Sequence, residues 1–385
     1  MKVLISRISI NQTVGGAELS ARDICRSLIE LGHKPFYVTN LRSKMAIKNI
    51  PKKQLFHIPL IWTRSTIIKK VVRPLQLFNL LIYYFYIVVK VQPEILNPQS
   101  RDDQIIATLV GKIFHIPVIW RDPGDLRPQL SHKINNPLQK INRSIQKISI
   151  LNANAIFTLN KGDKNYLISN ISNLNSRKIS VIKSNIMFED YNIKNKKNNQ
   201  NIIIGCVSRL DEHKGIQYVI ETFKKLQKKY NNISLLIAGD GVYKKELESL
   251  AEGIEDIIFI GHVSDVSKIF NNIDIFVQPA KFEGWGRNVK EAKYFGKAIV
   301  GSNVGGIREQ IIHNQTGLLF NVGDIDSLYK QLKILIDNYN KRELLSQNAR
   351  RSAIEEGDWL KTVKNEVIPL FNKYIITTKK KEYNK

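Results

Sequence analysis

Short apolar segments alternate with amphipathic segments along almost the whole chain. In the first half "KVLIS" leads through Gly15-Gly16 to a helix predicted over 17–31, which Gly32 closes before "PFYVT". The rhythm continues with "EILN", "PVIWRD" and "AIFTLN", and restarts after residue 200 with "IIIGCVSRL", "SLLIAGDG", "IIFIGHV", "IDIFVQPA" and "AIVGS". Strands that alternate with helices form a parallel sheet covered on both faces. The sequence therefore predicts an α/β fold.

The chain has 385 residues, more than one hydrophobic core usually organises. Residues 188–200, "FEDYNIKNKKNNQ", are polar and of low complexity, which indicates a linker. We expect a Rossmann-like domain over 1–187, a second over 201–365, and a C-terminal helix and basic tail over 366–385 that packs back on the first domain. Ligands of such folds bind at the carboxyl ends of the strands, here in a cleft between the two halves.

The net charge of +25 is concentrated in the first half. Residues 31–93 contain eleven Lys or Arg and no Asp or Glu, and they include the apolar run "LLIYYFYIVV". Such a region can bind anionic lipid, nucleic acid or a phosphorylated substrate. The equally acceptable alternative is that the run is a buried core helix.

The two cysteines, Cys25 and Cys206, are too few for a disulfide framework or a thiolate metal site, so we expect a reducing compartment. We find no leader pattern at Met1 and no apolar run of the roughly 18 residues that a membrane span needs. These observations predict a cytoplasmic protein, peripheral on the inner face of the cell membrane if the basic half binds lipid.

Two cations follow the first strand of the second half. Arg209 and Lys214 lie five positions apart in "VSRLDEHKG" and can both reach one diphosphate, Arg with its fork and Lys as a point charge. The alternative is a solvated loop with no ligand.

Two carboxylates surround a glycine turn in "KFEGWGRNVKEAK". Glu283 follows a strand, and Glu291 is predicted in the first turn of the next helix, so both are expected in one crevice. A carboxylate that accepts two hydrogen bonds suits the vicinal hydroxyls of a sugar. Gly284 and Gly286 allow the backbone to approach a ligand, and the helix start presents N–H groups to negative charge. For Glu291 alone, a simple favourable charge at a helix start is the alternative.

Other short patterns have structural alternatives. Gly15-Gly16 offers a second helix N-terminus for phosphate, or only a turn. Gly305-Gly306 suits tight packing as well as ligand contact. Asp324-x-Asp326 looks like a metal-binding pair, but its position favours a helix cap, and Asp102-Asp103 likewise predicts a helix start.

In order and spacing the chain resembles the retaining, nucleotide-sugar-dependent glycosyltransferases of family 4, which have the GT-B fold. The resemblance rests on the following stretches: "GGAELSARDICRSLIELGH", "VSRLDEHKG", "LLIAGDG", "IIFIGHV", "FVQPAKFEGWGRNVKEAKYFGKAIVGSNVGGIREQI", "GLLFNVGD" and Trp359. It implies two Rossmann-like domains that face each other across a deep cleft, the first for the acceptor and the second for the nucleotide sugar.

The resemblance also implies roles for individual residues. Arg209 and Lys214 would hold the donor diphosphate, assisted by Gly15, Gly16 and the backbone after Gly286. Glu291 would hold the ribose hydroxyls and Glu283 the transferred sugar, while main-chain groups at His262 and Val263 would hold the base. The donor site would be lined by the block Gly284, Trp285, Gly286, Arg287 and Asn288.

One departure concerns Arg121-Asp122, where many members of the family have His-Asp. Arginine stays charged near neutral pH, so Arg121 can bind a phosphate but cannot exchange a proton. Asp122 or Asp125 can orient an acceptor hydroxyl. The alternative is that Arg121 and Asp122 pair with each other.

The resemblance thus implies an enzyme that moves a hexose-type sugar from UDP or GDP to a hydroxyl acceptor with retention, without a metal or a permanently bound cofactor. Arg209, Lys214 and helix termini would neutralise the charge instead. We expect a glycan or lipid-linked acceptor, as in cell-surface polysaccharide, lipopolysaccharide or glycolipid synthesis, an anionic membrane as a further partner, and no nucleic acid. A dinucleotide-dependent epimerase or dehydrogenase and a non-enzymatic polyanion-binding protein are the alternatives, but the chain lacks Gly-x-Gly-x-x-Gly after a strand and aromatic-interleaved basic motifs.

Overall fold

The computed structural model describes residues 1–8, 14–41, 43–58, 66–124, 126–131, 137–194 and 201–383. The predicted hydroxyl-orienting Asp125 and the last part of the predicted linker, 195–200, lie outside these ranges. The chain forms two compact units. The first contains Met1–Asn185 and Trp359–Lys385, and the second contains Ile186–Asp358.

In the first unit, the described residues form strands separated by helices. The strands are β1 (Lys2–Arg7), β2 (Lys34–Thr39), β3 (Leu55–His57), β4 (Ile95–Pro98), β5 (Ile119–Arg121), β6 (Ala155–Thr158) and β7 (Ile179–Val181). The helices are α1 (Gly16–Glu30), α2 (Lys44–Ile47), α3 (Thr66–Val91), α4 (Arg101–Ile113), α5 (Leu126–Ser131), α6 (Pro137–Asn152) and α7 (Lys161–Asn170).

All strand pairs of this unit are parallel, in the orders β3-β2-β1-β4 and β5-β6-β7. A parallel bridge between Leu96 and Val118 joins the two groups. Strands such as "VLIS" are apolar on both faces because helices cover the sheet on both sides. The strand order reverses between β1 and β4, where ligand crevices of such sheets lie.

The second unit repeats this architecture. Its strands are β8 (Ile202–Val207), β9 (Ile233–Ala238), β10 (Ile257–Gly261), β11 (Ile275–Gln278), β12 (Ala298–Ser302) and β13 (Leu318–Phe320). Its helices are α8 (Ile216–Gln227), α9 (Lys244–Leu250), α10 (Ser267–Phe270), α11 (Arg287–Tyr294), α12 (Gly305–Gln310), α13 (Ile325–Asp337) and α14 (Tyr339–Glu356). The parallel order β10-β9-β8-β11-β12-β13 reverses between β8 and β11. The two Rossmann-like halves expected from the sequence are therefore present.

The C-terminal segment returns to the first unit at Trp359, and not at residue 366 as the sequence predicted. It consists of α15 (Trp359–Thr362), a π-helical turn at Val363–Val367, and α16 (Ile368–Tyr383). Trp359 is fully buried, its ring lies 5.8 Å from the guanidinium carbon of Arg121, and Thr362 accepts a hydrogen bond from Asn185. Because the Trp359 indole is buried in the first unit, the C-terminal segment of this unit begins before the predicted residue 366.

The first part of the predicted linker is an ordered part of the second unit. Residues Phe188–Asp190 form a 3₁₀ turn, and the ring of Phe188 stacks on Tyr294 of α11 at a centroid distance of 4.1 Å. Tyr191 packs edge-on against Phe295 at 5.8 Å. Phe188 and Tyr191 attach this segment to the second unit, although its overall composition is polar. The linker assignment is therefore wrong for residues 188–194.

The run "LLIYYFYIVV" belongs to α3 (Thr66–Val91). Leu80, Tyr84 and Ile87 are buried in the core, as a core helix requires. Among the described residues, Pro74–Val91 is also a window long and apolar enough to cross a membrane, with a mean hydropathy of 1.4 and 28% of it buried. The expectation that no run reaches this length is therefore wrong.

Candidate functional site

The loops after β8 and β11 meet at the point where the strand order of the second unit reverses. Gly215 has a φ of 75°, and a Cβ there would lie 2.1 Å from the carbonyl oxygen of Pro279, so only glycine allows this approach. The backbone N–H of Lys281 donates to the carbonyl of His213 at 2.8 Å. These contacts hold the two loops together at the carboxyl ends of their strands.

Lys214 and Glu283 form an ion pair between these loops. The Nζ of Lys214 lies 2.8 Å from Oε2 of Glu283, and the two side chains are 14% and 18% exposed. Gln278, the last residue of β11, also donates to Glu283 at 3.3 Å and accepts from Asn288 at 2.7 Å. An ammonium group has three donors, so Lys214 can bind an anion while it holds Glu283.

Glu291 lies in a second polar group beside this pair. Its Oε1 accepts from the Tyr191 hydroxyl at 2.7 Å and from Nε of Arg287 at 3.1 Å, and Arg287 also donates to Tyr191 at 3.1 Å. Because α11 begins at Arg287, Glu291 lies in the second turn and not in the first as predicted. Both bonds end on Oε1, and a carboxylate retains acceptor capacity on Oε2 for a ligand hydroxyl.

The other predicted cation of this loop is more open. The Arg209 side chain is 53% exposed, and its guanidinium lies 3.5 Å from Asp211. Burial, followed by the charge of Lys214, lowers the pKa of the neighbouring His213 below its ordinary value. Near neutral pH the positive charge of this loop therefore comes from Arg209 and Lys214.

Contacts with α12 hold the glycine-rich block, residues 284–288, in place. The Gly306 N–H donates to the Glu283 carbonyl at 3.1 Å, and a Cβ on Gly306 would lie 2.4 Å from Cα of Trp285. Gln310 donates to the carbonyls of Trp285 and Gly286. Of the two readings of Gly305-Gly306, the structure supports tight packing, which positions the Glu283–Gly286 turn.

His262 and Val263 follow β10. His262 is exposed, and Val263 packs against a hydrophobic cluster of the second unit. Their contact with a base stays a prediction.

In the first unit, Gly15 and Gly16 begin α1. The Gly15 N–H donates to Oε2 of Glu18 at 3.0 Å, and Oε1 of Glu18 accepts from Nε of Arg7 at 3.0 Å. Arg7 in turn donates to the Gln99 carbonyl. The start of α1 is thus tied to the ends of β1 and β4, and the assistance of Gly15 and Gly16 to a diphosphate stays a prediction.

Arg121 is only 1% exposed, so it is not positioned to bind a phosphate directly. Its guanidinium donates to Oε1 of Gln99 at 2.9 Å and to Ser184 at 3.5 Å, and it lies over the Trp359 ring. Ser184 hydrogen-bonds Ser20, whose hydroxyl donates to the Gly16 carbonyl at 2.8 Å. The contacts of Arg121 therefore lead back to the start of α1.

Asp122 acts as a backbone acceptor. Its Oδ1 accepts from the N–H groups of Gly124 at 3.0 Å and Leu126 at 3.1 Å, at the start of α5. The contacts of Arg121 and Asp122 thus differ from the simple mutual pair that the sequence left open as an alternative.

Two lysines, one on each side of Glu291 in the sequence, anchor α11 to α14. Lys290 and Lys293 are 1% and 0% exposed, and their Nζ atoms lie 2.8 and 2.6 Å from the Glu356 carboxylate. Burial alone would raise the pKa of Glu356, but the charges of Lys293 and Lys290 outweigh it and hold that pKa at about 2. Glu356 thus fixes the helix that carries Glu291.

Glu356→Gln should lower the free energy of unfolding by about 2 kcal/mol at pH 7, because two buried ammonium groups lose their counter-charge. The value lies below the usual cost of breaking a fully buried pair because the Glu356 side chain is 37% exposed. The folded pKa lies below the unfolded one, so the wild type loses this stabilisation as the pH falls from about 4.5 to about 2. Urea unfolding at pH 7 and pH 2.5 measures both effects.

The matched control is Glu343→Gln on the same helix, expected to change stability by less than about 0.5 kcal/mol. If the wild type and Glu356→Gln differed equally at both pH values, the ion triad would not be the cause.

The remaining sequence patterns have structural roles. Asp324 caps α13 by accepting from the Ser327 N–H at 2.8 Å, and Asp326 pairs with Lys225. Asp102 and Asp103 lie in the first turn of α4, as predicted. Cys25 and Cys206 are buried, and burial raises the pKa of both thiols. In the described part of the chain, no group of three His, Cys, Asp or Glu residues is arranged to hold a metal.

Known structures show the class of fold. Sucrose-phosphate synthase from Thermosynechococcus elongatus superposes with a TM-score of 0.82, at 14% identity, over 98% of this chain and 99% of that chain. Anabaena Alr3699/HepE in complex with UDP and glucose gives 0.77, at 16% identity, over 96% and 99%. The chain has the GT-B fold.

The sequence comparisons give a family match over most of the second unit. Residues 187–352, the part of the chain that carries Lys214, Glu283 and Glu291, match the family model "Glycosyl transferases group 1". The capsular polysaccharide biosynthesis glycosyltransferase CapM of Staphylococcus aureus is 28% identical over 225 residues, 54% of this chain and 58% of CapM. The chain thus spans little more than half the length of this curated relative.

Proposed function

We propose that the protein is a retaining glycosyltransferase that moves a hexose-type sugar from a nucleoside diphosphate to a hydroxyl acceptor. The observation that carries the proposal is the Lys214–Glu283 ion pair beside the Glu291–Arg287–Tyr191 group at the strand-order reversal. It combines a cation for phosphate with carboxylates for sugar hydroxyls in one crevice. The match of residues 187–352 to "Glycosyl transferases group 1" and the GT-B fold support it.

Within this proposal, Lys214 and Arg209 bind the diphosphate, Glu291 accepts from the ribose hydroxyls, and Glu283 accepts from a hydroxyl of the transferred sugar. The ion pair with Lys214 orients Glu283 before the donor binds, and such preorganisation reduces the cost of binding. Gln278 donates to Glu283 and accepts from Asn288, and these two bonds keep the carboxylate in place.

In the transfer step, the bond between the anomeric carbon and the diphosphate oxygen breaks, and a bond to the acceptor oxygen forms on the same face. The acceptor hydroxyl proton passes to the departing phosphate oxygen, so no protein nucleophile is needed. Charge develops on that phosphate, and Lys214 and Arg209 stabilise it there. We propose that these cations do the neutralisation that a divalent ion does in other transferases.

We further propose that the acceptor is a glycan or a lipid-linked glycan at the inner face of the cell membrane, and that the protein works in the cytoplasm. The similarity to CapM, a capsular polysaccharide biosynthesis enzyme by name, supports a role in surface polysaccharide or glycolipid synthesis. The excess of positive charge in the first half of the chain supports an anionic membrane as partner.

A thermal-shift screen against UDP, GDP, ADP and NAD⁺ tests the donor. We propose a uridine nucleotide, since Alr3699/HepE was solved with UDP. At a hundred times its Kd, UDP should stabilise the folded state by about 2.7 kcal/mol and raise the Tm by several degrees. A shift with GDP alone would overturn the choice of uridine, and a shift with NAD⁺ alone, or with none of these ligands, would overturn the proposed function.

A further inference from the structure

The helix α3 presents an apolar stripe to solvent. The stripe is spaced by three or four residues, so its members share one helical face, and each is 51 to 62% exposed: Leu75, Phe78, Ile82, Tyr86 and Val89. Leu80, Tyr84 and Ile87 point to the opposite side and lie in the core. α3 is thus apolar on two sides, and the sheet covers one of them.

The two neighbouring helices continue this stripe. α3 packs on α4, and α4 packs on α6. α4 exposes Leu109 and Ile113, and α6 exposes Ile141, Ile145 and Ile148 at helical spacing. Among the described residues, these three helices carry ten of the twenty exposed large hydrophobic side chains, which marks an interaction surface. We call the exposed sides of α3, α4 and α6 the three-helix face.

Positive charge accompanies each apolar stripe. Lys90 follows Val89, Lys112 precedes Ile113, Lys140 precedes Ile141, and Lys147 precedes Ile148. Lys90 also extends along Tyr86, with its Nζ 2.8 Å from the hydroxyl and 5.2 Å from the ring centroid. This is how a long basic side chain keeps its charge at an interface while its stem covers apolar surface.

Negative charge is scarce on these helices. α3 and α6 contain no Asp or Glu. In α4, Asp103 is buried, and Asp102 pairs with Arg101 at 3.1 Å. A second copy of the chain would bring like charges together, and a nucleic acid would leave the apolar stripes in water. The surface of an anionic phospholipid bilayer matches both the apolar and the basic character.

We propose that the three-helix face binds the surface of an anionic phospholipid bilayer, with α3 lying in the plane of the interface. α3 does not cross the bilayer, because its inner side belongs to the core of the first unit. The inference deepens the proposed function, on which it rests for its biological purpose, by naming the surface that holds the enzyme near a lipid-linked acceptor.

The test is flotation of the whole chain with vesicles of phosphatidylcholine alone and with 30% phosphatidylglycerol, at about 0.15 M salt, where surface charges act within a Debye length. We expect at least tenfold more binding to the anionic vesicles. Phe78→Asp with Ile82→Asp should reduce that binding at least tenfold, and Lys140→Glu with Lys147→Glu by a similar factor. Ile334→Asp with Leu344→Asp, at exposed positions of the second unit, is the matched control and should bind as the wild type does.

Equal binding to both kinds of vesicle, no binding, or full binding by either three-helix-face variant would overturn the inference. A concentration-dependent dimer that the Phe78→Asp, Ile82→Asp variant abolishes would show that a second copy is the partner. The UDP thermal shift, measured for every variant, distinguishes a failure of the bilayer-binding inference from a failure of the proposed function. Lost vesicle binding with an unchanged UDP shift, relative to the wild type, shows that the variants are folded, whereas vesicle binding without any nucleotide shift would reject the proposed function alone.

Discussion

Lys214→Met should lower kcat/KM for sugar transfer by about 10²- to 10³-fold, the usual loss when a donor aimed at developing charge is removed. The ammonium group is held 2.8 Å from Glu283 between the loops after β8 and β11, so its position is set before the donor binds. Methionine keeps the length and the apolar stem of the side chain and removes only the charge. The measurement is steady-state transfer with the donor identified by the thermal-shift screen, together with the Tm of the unliganded variant.

The matched control is Lys281→Met. Lys281 lies in the loop after β11 and pairs with the exposed Glu212 at 2.7 Å. It therefore has the same charge as Lys214 and lies in the same region, but its ion pair is with Glu212 and not with Glu283. We expect its activity to stay within about threefold of wild type, since surface pairs contribute little. A Lys214→Met enzyme with near-wild-type turnover would show that the diphosphate binds elsewhere.

Glu291→Gln should weaken nucleotide binding by about tenfold to 10²-fold, the range expected for hydrogen bonds to a charged acceptor. The amide keeps the shape of the side chain and an acceptor oxygen near Arg287, whose side chain is only 8% exposed, whereas Glu291→Ala would remove both. If the carboxylate holds the ribose, the wild type should prefer UDP to 2′-deoxy-UDP and the Gln variant should not. Titration calorimetry with the two nucleotides measures this difference directly.

Tyr191→Phe is the companion variant. It removes the hydroxyl that donates to Glu291 at 2.7 Å but leaves the carboxylate in place. We expect a loss of affinity of about tenfold or less, with the preference for the ribonucleotide retained. A Glu291→Gln variant that still prefers UDP to its 2′-deoxy form would assign Glu291 to the support of α11 and not to the sugar.

The alternation of strands and helices could be predicted from the sequence, because it depends on hydrophobic patterns that extend over only a few residues. In "KVLIS" three apolar residues, Val3, Leu4 and Ile5, follow one another, and only a strand covered on both sides buries all three. The starts of α4 and α13 were equally readable, since Ser100–Asp103 and Asp324 are capping residues at the beginning of apolar helical patterns.

The hydrogen-bond and ion-pair partners of the predicted side chains could not be predicted from the sequence, because they come from distant parts of the chain. Tyr191 binds Glu291, which is one hundred positions away in the sequence. Because its sequence neighbours are polar, Tyr191 was assigned to the linker. Gln278 ends a buried strand, and a polar residue there is a signal that sequence reasoning can use at strand-order reversals. The sequence left Arg121 open between a phosphate contact and a pair with Asp122, because its burial under Trp359 depends on where the C-terminal segment packs.

The sequence by itself determined the α/β repeat, the two halves and the positions of the charged residues relative to strand ends, because hydrophobic periodicity and turn chemistry act over a few residues. Only the tertiary structure decided which of these charges meet. It paired Lys214 with Glu283, gave the buried Lys290 and Lys293 a shared partner in Glu356, and left one side of α3 uncovered. Each of these outcomes depends on packing between segments far apart in the chain, where burial and distance set the energy of a charge and no local pattern records them.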